Sequence, residues 1–427
     1  MERFHHTKTT LSNGLRVITV PVKGSAAVTA LFLVEAGSKY ESKDINGISH
    51  FLEHMCFKGT ARRPSPVMVS RELDGLGAEY NAFTAHEYTG YYAKARAEDF
   101  EKIFDVLSDI YLNSALLPEE IEKERGVIIE EINMNEDSPQ RSVHELFSRL
   151  LYGDQPSGWP IAGRKEVVMR LTQNDFREYR NAHYVPNATV VVIAGSFNEK
   201  RAMSLIKKVF GDVPHSTKGT MAKISEHQLA PQVSVQYKKT DQAHLVLGLR
   251  AFGAQDPRRH ALKVLSNILG GWMSSRLFQE VRVRLGAAYY IHAYPELYAD
   301  HGALAIAAGV SLTKVHEAIE AIVKELAKLR KHAVSAEELA LAKSNVIGST
   351  AISLETSDDL ASFYGSQEIA YRRILSVNTL VASLTRVSAR DIQAVANDII
   401  TNKRLNLALI GPYKDAAPFK RSLRLPS

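Results

Sequence analysis

The sequence is poor in cysteine and has no long apolar run. Its single cysteine, Cys56, excludes a disulfide within the chain and favours a reducing compartment. No stretch approaches about 18 consecutive apolar residues, so we expect no membrane-spanning segment. The opening residues, MERFHH, lack the apolar run of a signal peptide, and we therefore expect a cytoplasmic protein with no membrane partner.

The sequence also lacks a concentration of charge of one sign. It contains 53 Lys and Arg against 47 Asp and Glu, and the basic residues are interspersed with acids, as in Glu119–Arg125. This pattern is typical of solvated faces and argues against a nucleic-acid-binding stripe. With 427 residues, of which 45% are hydrophobic, the chain is long enough for two domains, each with its own core.

The motif that organises the chain is His-x-x-Glu-His, within the stretch Ile48–Met55. On a helix, His50 and His54 project from one face about one turn apart, close enough to bind one metal ion. Glu53 lies beside them, where a carboxylate can act as a general base without being a ligand. The alternative is a pair of solvated histidines on a surface helix, so the interpretation depends on a third ligand.

A series of landmarks occurs twice in the sequence, about 210 residues apart. Each copy has a buried strand, a helix, a Leu-Gly-Ala segment before a tyrosine, an amphipathic helix, an acidic helix start and a strand that ends at glycine. This order predicts an α+β protein of two tandem homologous domains, each a mostly antiparallel sheet packed with helices. We place the first domain at residues 1–215, a linker at 216–232 and the second domain at 233–427.

The two copies differ in their chemistry. The second-half helix around Leu262–Leu269 has no His-x-x-Glu-His, and the helix after Glu338 carries Ser344-Asn345 and Gly348-Ser349 in its middle turns. One half is therefore equipped for catalysis, and the other is a scaffold or a substrate wall.

The helix that starts at Pro118 offers the third ligand, because a catalytic zinc takes three protein ligands. Glu124 and Glu131 are seven residues apart and share one face of that helix. We choose Glu131 as the ligand and Glu124 as a carboxylate that orients the site. The alternative is that both are surface acids. The same helix is predicted to face a core through its apolar residues Val127, Ile128 and Ile132.

These residues resemble the inverzincin peptidases of family M16, which include pitrilysin, insulysin and the mitochondrial processing peptidase. The family signature is His-x-x-Glu-His followed by Glu after about 76 residues, and 76 residues separate His54 from Glu131. Tyr184–Asn187, Gly270–Phe278 and the duplication also look like the family. The chain length resembles the short, processing-peptidase-like branch.

The resemblance implies further site residues. Asn81, Ala82 and Phe83 look like the family's edge strand, on which an extended peptide adds by backbone pairing. Arg282 and Tyr289 match the spacing of an Arg and a Tyr that contact the substrate and stabilise the oxyanion. The sequence departs from the family at one point nearby, since valine stands at position 283, where an acid is common.

The resemblance also implies an activity and an assembly. It predicts a zinc metalloendopeptidase with one Zn²⁺ per chain that cleaves extended or unfolded peptides, presequences among them. In the fused family members the Arg and Tyr come from the final quarter, so in a short chain we expect a homodimer in which the partner's second domain completes the site. The alternative is a non-catalytic subunit, or one that is active only with a different homologue.

Overall fold

The structure is a computed structural model that describes residues 4–426. Residues 1–3, which open the predicted first domain, and Ser427, which ends the predicted second domain, lie outside the described residues. In chain order the strands are β1 (Thr7–Thr10), β2 (Arg16–Pro21), β3 (Ala27–Val34), β4 (Glu79–Thr84), β5 (Thr89–Arg96), β6 (Thr189–Gly195), β7 (Gln232–Tyr237), β8 (Gln242–Ala251), β9 (Ala288–Leu297), β10 (Gly302–Ser311) and β11 (Leu405–Gly411).

Helices connect and cover these strands, and a π-helical turn spans Phe278–Arg284. The α-helices are α1 (Ile48–Cys56), α2 (Pro66–Asp74), α3 (Phe100–Asn113), α4 (Pro118–Asp137), α5 (Pro139–Tyr152), α6 (Lys165–Val168), α7 (Gln173–His183), α8 (Glu199–Phe210), α9 (Arg259–Gly270), α10 (Val315–Lys331), α11 (Ala336–Ile352), α12 (Ser357–Tyr371), α13 (Val377–Arg386), α14 (Ala389–Ile399) and α15 (Ala417–Ser422).

Short sequence signals explain several of these boundaries. Asn13-Gly14 makes the predicted turn between β1 and β2, with Gly14 at a φ of 88° that favours glycine. The Pro64-Ser65-Pro66 stretch, which we read as a break, starts α2, because the Ser65 side chain accepts a hydrogen bond from the Met68 amide and Pro66 occupies the first turn.

The chain forms two compact units, neither of which is one continuous segment. The first unit comprises the chain up to Asn133 together with Trp159–Ala222 and Ala351–Asn378. The second comprises Met134–Gly158, Lys223–Thr350 and the chain from Thr379. Each half of the sequence therefore supplies one helix to the other unit, α5 to the second and α12 to the first. The predicted tandem domains, with their linker at 216–232, remain a prediction about the order of the repeat along the chain.

The sheet of the first unit has the strand order β1-β2-β6-β3-β5-β4. Both of its faces are covered, which explains the near-continuous apolar sequence of β3. Phe32 points to the face with α1, α3, α7 and α8, where its ring meets Phe104 at 5.5 Å. Leu33 points to the opposite face, which α12 covers so closely that a Cβ on Gly365 would lie 2.7 Å from the Leu33 side chain.

The sheet of the second unit has the order β7-β11-β8-β10-β9. Helices α9, α10, α14 and α15 share a core with one face. Helix α5 covers the other face, where the Phe147 ring fills the space above Gly248 and a Cβ there would lie 2.4 Å from it. Among the paired strands only β2 with β6 and β7 with β11 run parallel, so the predicted fold class is confirmed. Within residues 4–426, no helix has the length and apolar character needed to cross a membrane.

Candidate metal centre

Helix α1 presents two different faces. Ile48, Phe51, Leu52 and Met55 are completely buried in the core of the first unit. His50 and His54, which are four residues apart and so about one turn apart, project from the other side and are only partly buried. The apolar stripe thus fixes the orientation of the helix, and this orientation puts both imidazoles on the face that is open to a ligand.

The structure brings the three predicted metal ligands together. The rings of His50 and His54 lie 4.7 Å apart between centroids. The Nε2 atoms of His50 and His54 lie 3.5 and 3.7 Å from Oε2 of Glu131. Each residue offers a ligand atom, and these atoms lie within 4.8 Å of one another.

These distances fit the requirements of zinc. Donor atoms at about 2.0–2.1 Å from a tetrahedral Zn²⁺ lie about 3.3–3.4 Å apart, so the observed separations need only a small adjustment. Two imidazole nitrogens and one carboxylate are also a donor set that occurs in catalytic zinc sites, with one position left open. The side chains present therefore fit the metal.

Glu124 lies where the sequence places an orienting carboxylate. Its Oε1 lies 2.8 Å from Nδ1 of His54, and its other oxygen pairs with Lys58. Burial disfavours the charged form of Glu124, but the hydrogen bonds from His54 and Lys58 outweigh burial and hold the pKa of this carboxyl below its usual value. When Nδ1–H of His54 donates to Glu124, the lone pair on Nε2 remains available on the side of Glu131.

The two histidines differ in their electrostatics. Burial, reinforced by the charge of His54, lowers the pKa of His50 to about 4. Burial also opposes protonation of His54, but the hydrogen bond to Glu124 and the charges of Glu131 and Glu53 outweigh it, so the pKa of His54 is raised. His50 is thus neutral and ready to bind a cation at neutral pH, whereas a metal at His54 competes with a proton.

Glu53 is buried, with 8% of its surface exposed. The hydroxyl of Thr84 donates a 2.6 Å hydrogen bond to its Oε2. Burial raises the pKa of Glu53 above its usual value, and the bond from Thr84 only partly offsets this effect. A raised pKa makes the carboxylate a stronger base, which suits a group that must accept a proton and later return it.

The predicted substrate strand lies at the edge of the first sheet. Asn81, Ala82 and Phe83 belong to β4, and in the described sheet β4 pairs with β5 along one side only. Phe83 is 38% exposed and lies across Gly90 of β5, where a Cβ would come within 2.3 Å of the ring. The other side of β4 offers backbone groups that can pair with an extended chain.

Arg282 and Tyr289 lie in the second unit, apart from the unit that holds the three ligand candidates. Arg282 is exposed on the π-helical turn, and its guanidinium lies 4.8 Å from the centre of the Phe278 ring. Tyr289 stands near the start of β9 and is 62% exposed. Both side chains are available to another molecule.

Sequence reasoning placed Thr84 at the end of the family-like edge strand, but it missed the bond from Thr84 to Glu53 and the pairing of Lys58 with Glu124, although signals for both existed. Thr84 follows Ala82 by two residues on a strand and therefore shares its face. Lys58 follows His54 by four residues, which is the spacing of side chains on one helical face. Helix α1 ends at Cys56, however, so this spacing is a weaker signal. One expectation was wrong in detail: Val127, predicted to face a core, is 45% exposed, whereas Ile128 is fully buried.

Comparisons with known proteins cover nearly the whole chain. The model of the family described as Insulinase (Peptidase family M16) matches residues 16–165, and that described as Peptidase M16 inactive domain matches residues 170–346. An uncharacterized zinc protease of Streptomyces coelicolor is 35% identical and covers 96% of this chain and 90% of its own. Another uncharacterized zinc protease, from Bacillus subtilis, is 34% identical, and the match covers 94% of this chain and 97% of that protein.

The fold has solved counterparts as well. A protease from Helicobacter pylori matches with a TM-score of 0.90 at 23% identity, over 96% of this chain and 100% of that one. The fold and the His-His-Glu group define a metallopeptidase-like protein. The chain belongs to peptidase family M16, the zinc metallopeptidases that include insulinase, and is one of its short members.

Proposed function

We propose that this chain is a zinc-dependent endopeptidase that cleaves extended or unfolded peptides, with one Zn²⁺ per chain held by His50, His54 and Glu131. The observation that carries the proposal is the convergence of two imidazole nitrogens on one carboxylate oxygen, at 3.5 and 3.7 Å, on helices that share one hydrophobic core. A zinc ion held there supplies a Lewis acid that polarises the substrate carbonyl and lowers the pKa of an attacking water to about 7.

Glu53 performs the proton transfers. Its carboxylate accepts a proton from the attacking water and returns it to the nitrogen of the leaving amine, which is the role its raised pKa suits. Thr84, through its 2.6 Å hydrogen bond, holds one carboxylate oxygen in place, so the other can face the reacting water. Because Thr84 is the last residue of β4, the same strand that would bind substrate also fixes the base.

The substrate would add to β4 as a further antiparallel strand. Backbone pairing with Asn81, Ala82 and Phe83 recognises an extended main chain of many sequences, and this selects unfolded peptides over folded proteins. Presequence-like peptides belong to this class.

We further propose that the active form is a homodimer in which Arg282 and Tyr289 of the partner contact the substrate at this site. The exposure of Tyr289 and Arg282 supports the idea, since neither side chain is engaged in a core. A tyrosine donor to the oxyanion contributes a few kcal/mol of transition-state stabilisation. Mixing E53Q chains with Y289F chains should restore part of the activity in heterodimers; verified heterodimers without activity would favour a site closed within one chain.

The experiment that tests the function combines zinc content with cleavage of an unbiased peptide library. We expect about one zinc per wild-type chain and cleavage that E53Q abolishes while it retains the metal. Wild-type cleavage by E53Q would refute the assignment of the base. Stoichiometric zinc without cleavage by the chain alone would favour a subunit that needs a different homologue, and the absence of zinc would favour a non-catalytic subunit.

A further inference from the structure

A buried carboxylate lies at the beginning of the histidine helix. Glu41 is 4% exposed and precedes α1 in the chain. Its Oε2 accepts hydrogen bonds from the Gly47 amide at 2.8 Å and from the Asn46 side chain at 2.9 Å, and its Oε1 accepts one from the Ser49 amide at 2.9 Å. Three N–H groups thus converge on two oxygens. The carboxyl group takes the place that a capping side chain has at an ordinary helix start.

The same turn is clamped by a second contact. Gly47, at a φ of 100°, crosses Gly163, at a φ of 86°, with so little space that a Cβ on Gly47 would lie 2.7 Å from the Cα of Gly163. The Asn46 side chain also donates a 3.1 Å hydrogen bond to the carbonyl of Pro160. The start of α1 is therefore held between a buried acid and a neighbouring loop.

This clamp matters most for one of the two histidines. His54 has its own anchor, because Glu124 lies 2.8 Å from its Nδ1. Nδ1 of His50 is buried and has no hydrogen-bond partner among residues 4–426. His50 directly follows Ser49, whose amide donates to Glu41. Because no group in the described chain anchors Nδ1, the position of the His50 ring depends more on the backbone of the first turn, which frays readily in an uncapped helix.

We infer that Glu41 is a positioning residue for the metal site, which holds His50 in ligating geometry by capping the first turn of α1. The inference rests on the proposed zinc site. Each histidine then has its own support, a side-chain carboxylate for His54 and a backbone cap for His50. Carboxylates that orient a metal ligand typically account for about 10–100-fold in metal affinity, and we expect an effect of that size here.

The test compares E41Q with E368Q. A glutamine at position 41 offers one oxygen and an NH₂ group to three converging donors, so at least one N–H loses its acceptor. Glu368 is also completely buried in the first unit and pairs with Lys8 and Arg16, so E368Q removes a buried charge without touching α1. Zinc affinity is measured by competition with a chelator, and the absorption spectrum of the Co²⁺-substituted protein reports ligand geometry, both on folded protein verified by circular dichroism.

We expect about 10–100-fold weaker zinc binding and an altered Co²⁺ spectrum for E41Q, with wild-type values for E368Q. Wild-type affinity and spectrum in E41Q, or equal losses in both variants, would overturn the inference while leaving the proposed function intact. A wild-type chain that binds no zinc would overturn both. If E41Q does not fold, N46A, which removes one donor to Glu41 and the bond to Pro160, should weaken zinc binding in the same direction, and unchanged binding would contradict the inference.

Discussion

The two units of the molecule share one strand plan. In the first, β2, β6, β3, β5 and β4 lie in that order, with one parallel pair followed by antiparallel pairs; in the second, β7, β11, β8, β10 and β9 repeat the same order and the same directions. The helix after the third strand is α1 in one unit and α9 in the other. Only α1 carries His50, Glu53 and His54. The comparison teaches that the same sheet can carry or lack a candidate site, depending on a few side chains of one helix.

The units also differ in what their edge strands present. The edge strand β4 stands beside the histidine helix, and its Thr84 holds Glu53. The equivalent strand β9 follows a π-helical turn and carries an exposed tyrosine near its start. The two equivalent edges therefore differ: one lies beside the candidate metal ligands, and the other carries an exposed tyrosine.

The largest expected difference between the two copies comes from removing a candidate metal ligand from one and the corresponding side chain from the other. E131A should lose stoichiometric zinc and reduce peptide cleavage by more than about 10³-fold, since two imidazoles alone do not complete the site. Ser349 occupies a comparable turn of α11 and is exposed. S349A should keep both zinc and cleavage, measured by metal analysis and a peptide assay. Retention of zinc by E131A would disprove the ligand assignment.

A second prediction concerns the exchanged helices. F147A removes the α5 ring that packs on Gly248 and should lower the free energy of unfolding by about 3–5 kcal/mol; L360A, in α12 on the first sheet, should lower it by about 2–5 kcal/mol. Denaturant unfolding measures both, and the exposed Arg141 on α5 gives the control R141A, which should change stability by less than about 0.5 kcal/mol. Small losses in both core variants would mean that these helices are not integral to the units they cover.

The smallest expected effects are in pH dependence, and they have opposite signs in the two units. Burial lowers the pKa of His183, in the first unit, to about 4. The unfolded chain therefore binds the proton more readily, and the stability that His183 contributes above about pH 6.5 is lost as the pH falls toward 4. Burial raises the pKa of Glu296, in the second unit, to about 7. Its contribution is present below about pH 4.5 and is lost as the pH rises through 7.

The variant E296Q tests the contribution of Glu296 to this difference in pH dependence. Because the neutral amide does not ionise, E296Q should gain about 1–3 kcal/mol relative to wild type between pH 4.5 and 7.5, measured by denaturant unfolding at each pH. H183Q should show the opposite pH dependence, because its free energy of unfolding should exceed that of wild type on the acid side. Parallel pH profiles for E296Q and wild type would show that Glu296 does not titrate in this range.

The sequence predicted the grouping of the candidate metal ligands more completely than the packing of the helices. Helical periodicity places His50 and His54 on one face, and the resemblance to the family signature, with 76 residues between His54 and Glu131, selects that acid from its neighbours. By contrast, the amphipathic patterns of α5 and α12 indicate only that each helix buries a face. They cannot say which sheet receives it, because both sheets present similar apolar surfaces. The exchange of these helices was therefore not predictable from local patterns.

Other contacts escaped prediction because they join residues that no short-range rule connects. Glu41 has no helical or strand spacing to His50; only the turn at Asn46-Gly47 folds its carboxylate back onto the start of α1. Arg282 lies on a π-helical turn, which the sequence did not indicate. The extra residue in such a turn redirects side chains, a detail that a 3.6-residue periodicity cannot reveal.

The position of α12 sets a condition on synthesis. The first sheet is complete when β6 ends at Gly195, but the helix that covers its second face ends at Tyr371. At about 5–20 residues per second, a ribosome needs on the order of ten seconds or more to make the intervening chain. During that interval Leu31, Leu33 and Val192 remain uncovered. The nascent first half therefore exposes an apolar sheet face, which favours aggregation, and the unit with the candidate metal ligands is complete only after the chain has been translated as far as Tyr371.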